Sequence, residues 1–464
     1  MTRHGADQSV HMEKGPIGKT LFAFALPVLL SQILQQLYSM TDCAVIGHFG
    51  GGFSLAAVGV ADLIISVLVN FFIGFSSGVS VITARLFGAY AYDDLKKVIS
   101  SVTRLALFLG VITMVLGLIG ADAALRLLRS PAEVRSLAVV YLRICFCGIP
   151  AQMVYNVGTA ILRSLGDTRT PTRLFFGSVI CNLGLDFVLV VVFSFGVQGA
   201  AAATLVSQWF LAVTILHRAW RLDPAYSLRF FGPRLRLREL GGILRNGLPA
   251  GMQAVFMSVS SLLIQVTINS FGPDAIAGMT VYAKIEGFLY FPAFAYGIAL
   301  TGFVGQNLGA GRTDRIESAV RLSVRTVSCV ILPLSAGLMI ACPLVLRLFT
   351  DSAGILAYAE DAVFFTFPVY VFYAVNQVYL GAVKGLGNTS YPMFCTLVSY
   401  CFFRVLWCRL LIPLFPTMRV VYLCYDVSFL LLLLLLLPMY RCTLRRIRRG
   451  DTLPLAAEKS FSGV

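Results

Sequence analysis

The sequence predicts an all-α polytopic membrane protein with about twelve transmembrane helices, arranged as two pseudo-symmetric six-helix lobes around a central cavity. The first observation is composition. Of the 464 residues, 58% are hydrophobic and only 13% are charged, whereas a soluble domain averages about 25% charged residues. The second is that apolar segments near the ~20 residues needed to cross a bilayer recur along the whole chain. The third is an internal repeat.

The repeat is visible in two short segments of the chain. Residues 160–171 read AILRSLGDTRTP and residues 381–392 read GAVKGLGNTSYP, so the second Leu-Gly lies 221 residues after the first. Pro27 and Pro249 have nearly the same offset. In an apolar chain a repeat of this length is typical of transporters, whose two halves rock around a shared binding site.

The predicted spans divide equally between the two halves, six before residue 220 and six after residue 242. They run roughly over 19–46, 54–83, 99–120, 137–161, 172–195, 197–218, 243–270, 277–304, 321–347, 358–382, 391–414 and 418–440. The predicted organisation is an N-terminal tail (1–16), an N-lobe (17–220), a basic linker (221–242), a C-lobe (243–440) and a basic C-terminal tail (441–464).

The formal net charge of +15 is explained by topology rather than by nucleic-acid binding. Arg and Lys gather in alternate loops, among them the one after span four with Arg163 and Arg169, the linker, and the stretch from 441 to 449. This positive-inside pattern predicts a multi-pass protein of the cell (plasma or inner) membrane with both termini in the cytoplasm. The basic linker and tail are expected to rest on anionic lipid.

Several function classes lack their sequence features. The eleven cysteines form no CxxC pair and the four histidines are scattered, so we expect no metal site beyond a possible Na⁺. No GxxxxGK[ST] motif is present, which argues against ATP-driven transport. A membrane-embedded enzyme would need a sizeable polar loop with a catalytic constellation, and the linker contains none. We therefore expect no enzyme and no cofactor other than a coupling ion.

Polar side chains in span one form a stripe with helical spacing. Gln32, Gln35, Ser39 and Asp42 lie three or four residues apart, and Tyr38 flanks them. Such residues share one face of a helix, and the cost of burying them predicts that this face lines a cavity. The alternative is that the amides hold neighbouring helices together, but a carboxylate is far costlier to bury than an amide.

Span five contains the clearest chemical signal, because Asn182 and Asp186 are four residues apart within an apolar sequence. Given the predicted topology, Asp42, Asp186 and Thr204 of span six lie within about 10 Å of one depth, in the outer half of the bilayer. An oxygen-rich cluster of this kind suits Na⁺, and paired carboxylates also raise each other's affinity for H⁺. Asp62 of span two lies in the same half and is assigned to this cluster or to the cavity.

The C-lobe does not repeat these carboxylates. Glu286 in span eight and Arg404 in span eleven lie at similar predicted depths, and we expect them to form a structural buried ion pair. Tyr373 and Asn376 in span ten are expected to offer aromatic and amide groups to the cavity.

Taken together, these segments resemble the multidrug and toxic compound extrusion (MATE) family, over residues from about 14 to 440. The segments on which the resemblance rests are ALPVLLSQILQQLYSMTDCAVIG in span one, ILRSLGDTRTP after span four, NLGLDFVL in span five, GVQGAAAATLVSQ at the start of span six and FVGQNLGAGR at the end of span eight. The resemblance implies two six-helix lobes and a secondary antiporter. Such proteins export small organic compounds, often cationic and aromatic, in exchange for inward Na⁺ or H⁺.

The resemblance also implies roles for particular residues. In prokaryotic branches of the family, acidic residues of spans one and five bind the coupling cation. The resemblance implies that the corresponding residues here are Asp42 and Asp186, with Asn182 and Thr204 completing the cation site. The family's amide in span four corresponds to Asn156. The C-lobe carboxylates that some members use for Na⁺ have no clear equivalents, which leaves Na⁺ and H⁺ both open. A lipid-linked oligosaccharide flippase of the same broad superfamily is the alternative function.

Overall fold

The computed structural model describes residues 10–49, 54–127, 132–229, 237–347, 350 and 352–449. Within these ranges twelve helices are long and apolar enough to cross a membrane, and no strand occurs. The predicted fold class is therefore confirmed. Several helices extend beyond the predicted apolar segments; the third, for example, covers Tyr92–Leu127 rather than 99–120. Helical hydrogen bonding continues past the apolar stretch, because polar residues such as Asp93 and Asp94 are favourable in a first helical turn.

We number the twelve spanning helices in chain order. They are α1 Ile17–Phe49, α2 Ser54–Gly88, α3 Tyr92–Leu127, α4 Ala132–Ser164, α5 Arg169–Val192, α6 Gly196–Trp220, α7 Leu237–Asn269, α8 Pro273–Gly309, α9 Thr313–Arg347, α10 Ala353–Gly385, α11 Ser390–Leu411 and α12 Met418–Arg448. Two are irregular in a related way: α5 ends in a π-helical segment, Phe187–Val192, and α11 contains one, Leu397–Phe402.

Each lobe has its own apolar core. In the N-lobe, α4 is central and packs against α2, α3 and α6, while in the C-lobe α8 packs against α9 and α10. Helix α1 belongs to both lobes. Leu21, Phe24 and Val28 near its beginning are buried in the C-lobe core, and the helix also contacts α5 and α6 of the N-lobe, for example through the hydrogen bond between Tyr38 and Thr204. This crossing makes α1 a mechanical link between the lobes.

The repeated Leu-Gly motif ends a helix in each half. Gly166 and Gly387 follow α4 and α10 with φ of 88° and 90°, a left-handed conformation that favours glycine. The next amides, of Asp167 and Asn388, bond back to carbonyls five residues earlier, which closes a Schellman motif. The same two side chains then cap the following helix, since their Oδ1 atoms accept hydrogen bonds from the backbone amides of residues 170 and 391.

The two ends of the helical bundle are distinguished by the N-terminal segment. The backbone amide of Val10 donates to the carbonyl of Leu165, just after α4, and that of Met12 donates to Gln306 near the end of α8. We call this end, with the turns 89–91, 165–168, 310–312 and 386–389, the terminal face. The opposite end is the distal face.

Candidate functional site

The two lobes are in close contact in the half of the bundle nearest the terminal face. Helix α2 packs on α7 through glycines: a Cβ added at Gly78 would lie 2.5 Å from the carbonyl oxygen of Asn246 and 2.6 Å from the Cα of Gly247. Further toward the terminal face, Gly305 of α8 lies against Ala84 of α2. Only small residues such as Gly and Ala allow helices to approach this closely.

The N-terminal segment adds a hydrogen-bonded layer across this closure. The Gln306 side chain accepts from the amide of Met12 (2.8 Å) and donates to the carbonyl of Ser164 (2.7 Å), so it joins the segment, the C-lobe and the N-lobe. On the N-lobe side the Tyr90 hydroxyl donates to Glu13 at 2.6 Å. That hydrogen bond raises the pKa of Tyr90, because the nearby carboxylate favours the neutral phenol.

The lobes diverge toward the distal face. The most distal interlobe hydrogen bond described joins Asn70 of α2 to Ser258 of α7 at 3.0 Å. Beyond it Leu63 of α2 and Leu262 and Val266 of α7 are exposed. Between the lobes lies a cavity of about 460 Å³, a volume within the usual range for small-molecule sites. It is closed at the terminal face.

Amides, hydroxyls and aromatic rings from both lobes line this cavity. The amide-bearing residues are Gln32, Gln35, Asn70, Gln152, Asn156, Gln253 and Gln377. The aromatic residues are Phe24, Tyr155, Phe175, Tyr290 and Phe294. Among the described lining residues the charged side chains are Arg163 and Lys384, and no Asp or Glu contributes. The cavity therefore has a net positive lining.

Three residues expected in the cavity, Gln32, Gln35 and Asn156, do line it. Five others lie elsewhere among the described residues. Ser39 and Asp62 are exposed outside the cavity, and the Tyr38 hydroxyl hydrogen-bonds the Thr204 hydroxyl at 3.1 Å.

Tyr373 and Asn376 are packed inside the C-lobe instead of facing the cavity. Asn376 is fully buried and donates its amide hydrogen to the carbonyl of Phe429 on α12 at 2.8 Å. Tyr373 is 4% exposed and its ring stacks behind that of Tyr290, which does line the cavity. The sequence placed both residues in a spanning helix, but it does not show which face of that helix points toward the cavity.

Helices α1, α5 and α6, which contain the residues of the expected cation cluster, pack against one another. Asn182 and Asp186 are both fully buried on α5. Ser178, on the same face of α5, donates to the carbonyl of Ser207 on α6 at 3.1 Å, and the Tyr38–Thr204 hydrogen bond joins α1 to α6.

The side-chain amide of Asn182 has unused hydrogen-bonding capacity. Both polar atoms of its side-chain amide are buried and have no hydrogen-bond partner among the described residues. An unsatisfied buried amide costs about 1–3 kcal/mol, so a ligand at this point would be stabilised. The side chain of Asp42 lies outside the described residues; its backbone lies in α1, one turn beyond Tyr38.

The π-helical segment Phe187–Val192 begins directly after Asp186. Such segments are rare and occur frequently at functional sites. The sequence contained no signal for it, since apolar periodicity does not distinguish i→i+5 from i→i+4 hydrogen bonding.

The expected ion pair between Glu286 and Arg404 is not formed among the described contacts. Glu286 instead accepts a hydrogen bond from the Tyr370 hydroxyl at 3.1 Å. The guanidinium of Arg404 lies 4.3 Å and 4.5 Å from the ring centroids of Tyr400 and Tyr425, and its Nε donates to Ser428. Aromatic faces thus take the place of the carboxylate, a favourable environment for a weakly hydrated guanidinium.

Comparison with known proteins supports the division of the chain into two related lobes. The family model MatE matches the chain twice, over residues 27–188 and 249–410. The chain is 28% identical to "Probable multidrug resistance protein YpnP" of Bacillus subtilis, over 84% of this chain and 87% of that protein. It is 27% identical to "Probable multidrug resistance protein NorM" of Thermotoga maritima, over 82% of this chain and 83% of that protein.

A similar solved structure has the same overall fold. It is described as the outward-facing conformation of a multidrug resistance MATE family transporter of the MOP superfamily. The TM-score is 0.89 at 23% sequence identity, covering 96% of this chain and all of the other. At this identity the match is evidence of shared fold.

Proposed function

The chain belongs to the MatE family, and on that premise we propose that it is a secondary active efflux antiporter. It exports small organic compounds in exchange for inward H⁺ or Na⁺, by alternating access of one central cavity. The observation that carries this proposal is the cavity itself, which is lined by both lobes and is closed at the terminal face by contacts between the lobes and by the N-terminal segment. Separation of the lobes at that face would expose the same cavity to the other side of the membrane.

The terminal face is the cytoplasmic one in this proposal. Exposed arginines cluster at the terminal end of α12, including Arg441, Arg445, Arg446 and Arg449. Cytoplasmic loops of membrane proteins carry an excess of such residues, and anionic lipid attracts them. The described conformation then faces outward, ready to release a compound and take up the driving ion.

The driving ion binds in the N-lobe cluster of Asn182, Asp186 and Thr204, with Asp42 contributing its carboxylate. In support, the buried amide of Asn182 has no described hydrogen-bond partner and two side chains of the cluster are fully buried. Oxygen ligands of this type suit Na⁺, and a buried carboxylate equally suits H⁺.

Helix α1 couples the ion to the exported compound. Its Gln32 and Gln35 line the cavity, its Tyr38 contacts Thr204 of the cluster, and its beginning is buried in the C-lobe core. A ligand shifts a conformational equilibrium only through its different affinities for the two states. Because α1 contacts both sites and both lobes, ion binding that moves α1 changes the cavity and the interlobe contact together.

Transport by purified protein in proteoliposomes tests this function. Inward H⁺ and Na⁺ gradients are imposed separately, and the movement of fluorescent dyes is followed in the opposite direction. Dye movement driven by one gradient supports the antiporter and identifies the ion. Movement that follows neither gradient would contradict it and would revive the flippase alternative, which the names of the relatives do not favour.

A further inference from the structure

The closed end of the cavity contains two cations related by the internal repeat. Arg163 of α4 and Lys384 of α10 lie 221 residues apart, at matching positions before the two Leu-Gly motifs. Both line the central cavity, one from each lobe. In the sequence, Arg163 was assigned to a cytoplasmic loop, and the structure places it instead in the last turn of a helix at the cavity floor.

The two residues lie beside the same turn of α8. The carbonyl oxygen of Arg163 is 3.8 Å from a Cβ built on Gly302, and a Cβ built on Gly385, next to Lys384, would lie 2.8 Å from the carbonyl oxygen of Thr301. One turn further along α8, Gln306 bonds the carbonyl of Ser164 within the terminal closure. The two cations therefore lie at similar depth, directly on the distal side of the closure.

Neither cation has an acidic partner among the described residues. No ion pair involves Arg163 or Lys384, and the Nε of Arg163 is buried without a hydrogen-bond partner. The hydrogen bond described for its guanidinium is a long one, 3.4 Å from Nη2 to the Ser31 hydroxyl. The carboxylate nearest in sequence, Asp167, is engaged by Arg218 and by the amide of Thr170.

A cation in the last turn of a helix interacts favourably with the helix dipole. That interaction alone would explain one such residue. It does not explain why both side chains line the interior of the cavity, where burial without an anion is costly. Two like charges within low-dielectric walls also concentrate a positive potential there. Both the cost and the potential are offset when an anion binds.

The walls above this floor suit a flat aromatic molecule. In the N-lobe, the rings of Tyr155 and Phe175 are stacked with centroids 6.4 Å apart. In the C-lobe, Tyr290 and Phe294 are stacked at 5.7 Å. All four rings line the cavity, one pair from each lobe.

We propose that Arg163 and Lys384 form an anion-binding subsite, and that the exported compounds include aromatic organic anions whose carboxylate or phosphate is bound by these two side chains. This inference rests on the proposed transport function and names a substrate class for it. It differs from the cationic compounds that the family resemblance led us to expect.

Binding of two matched dyes to the purified protein in lipid nanodiscs tests the subsite. Fluorescein and rhodamine 123 share a xanthene body, but the first is an anion and the second a cation. Charge-assisted hydrogen bonds contribute about 1.5–3 kcal/mol, so Arg163→Gln and Lys384→Gln should each weaken fluorescein binding about tenfold or more. Rhodamine 123 binding should be unchanged or tighter.

Control variants distinguish the loss of positive charge at the subsite from the loss of positive charge elsewhere and from misfolding. Arg325→Gln and Lys284→Gln remove the same charges from exposed positions on α9 and α8 and should leave both dyes unaffected. Arg163→Lys and Lys384→Arg keep the charge and should retain most of the fluorescein binding. Competition by benzoate and by phenyl phosphate then shows whether carboxylate or phosphate is preferred.

The proposal would be overturned by fluorescein binding that survives the combined Arg163→Gln and Lys384→Gln substitution, or by equal weakening of both dyes. Failure of fluorescein, benzoate and phenyl phosphate to bind the unsubstituted protein would overturn it as well. Failure of the transport function looks different. In that case the dyes bind with the predicted dependence on charge but do not cross the proteoliposome membrane under any gradient.

Discussion

Gly78→Ala is expected to open the terminal face. The added methyl would lie 2.5 Å from the carbonyl oxygen of Asn246 on α7, whereas ordinary contacts begin near 3.4 Å. Helices α2 and α7 must therefore move apart by about 1 Å, and overpacking of this kind costs about 1–3 kcal/mol. This cost arises only in the conformation in which α2 and α7 are in contact, which is the one with the terminal face closed. The better helix propensity of Ala is common to both conformations and cancels.

The expected result is a shift of the equilibrium toward the terminal-open conformation by about 5- to 150-fold. Arg169 and Ser390 are suitable positions for spin labels, because both are exposed on the terminal face and occupy matching positions in the two lobes. The label-to-label distance distribution, measured by pulsed electron spin resonance, should move to longer distances in Gly78→Ala.

Gly59→Ala is the matched control. It lies on the same helix, and a Cβ there meets nothing within 4 Å, so the distance distribution should remain that of the unsubstituted protein. If Gly78→Ala also leaves the distribution unchanged, the contact between α2 and α7 does not close the terminal face and the reasoning is refuted.

Three further sets of substitutions test the ion site, the N-terminal segment and the buried charges of the C-lobe. Asp186→Asn should abolish gradient-driven dye movement in proteoliposomes while the protein still inserts and binds dye; full transport by this variant would contradict the assignment of the ion site. Gln306→Ala leaves the amide of Met12 and the carbonyl of Ser164 without their partner and should speed proteolysis of the N-terminal segment, whereas Gln265→Ala, at an exposed residue bonded only within its helix, should not. Because Glu286 bonds the Tyr370 hydroxyl and no described ion pair joins it to Arg404, the interaction energy between Glu286→Gln and Arg404→Gln in a double-mutant cycle of thermal stability should stay below the about 3–5 kcal/mol that breaking a buried ion pair costs; a larger coupling would show that the two charges are paired.

The sequence was sufficient for the overall fold because its signals are long and repeated. Twenty-residue apolar runs and a 221-residue offset survive small errors in segmentation, and the Leu-Gly motif marked real helix ends at Gly166 and Gly387. The stripe in α1 was also informative. Gln32 and Gln35 line the cavity as their spacing predicted.

The sequence was insufficient where the direction of a side chain decides its role. Glu286 and Arg404 were placed at one depth by counting residues, but counting does not give the rotation of each helix about its axis. The aromatic rings that surround Arg404 come from α11 and α12, and no local pattern connects them. Asn376, expected at the cavity as an amide within a spanning helix, is bonded to α12 instead, because the sequence does not show which face of α10 points inward.

The two cavity cations lie within the repeat, but the sequence alone does not identify them as a pair. Arg163 and Lys384 occupy matching positions in segments whose similarity is evident. A basic residue at the end of a spanning helix is usually explained by topology, and only the three-dimensional arrangement shows that both side chains line the cavity. Comparison of charges between the two copies would have found the pair.

The proposed antiporter exchanges an organic compound for an ion that binds in the N-lobe. Reversal of this coupling provides a direct test. Proteoliposomes are loaded with a transported dye and diluted into dye-free buffer without any ion gradient, while internal pH and ²²Na⁺ uptake are recorded. Dye efflux should drive H⁺ or Na⁺ inward, and Asp186→Asn should abolish this ion movement. Dye efflux with no movement of either ion, or with ion movement that persists in Asp186→Asn, would contradict the proposed coupling.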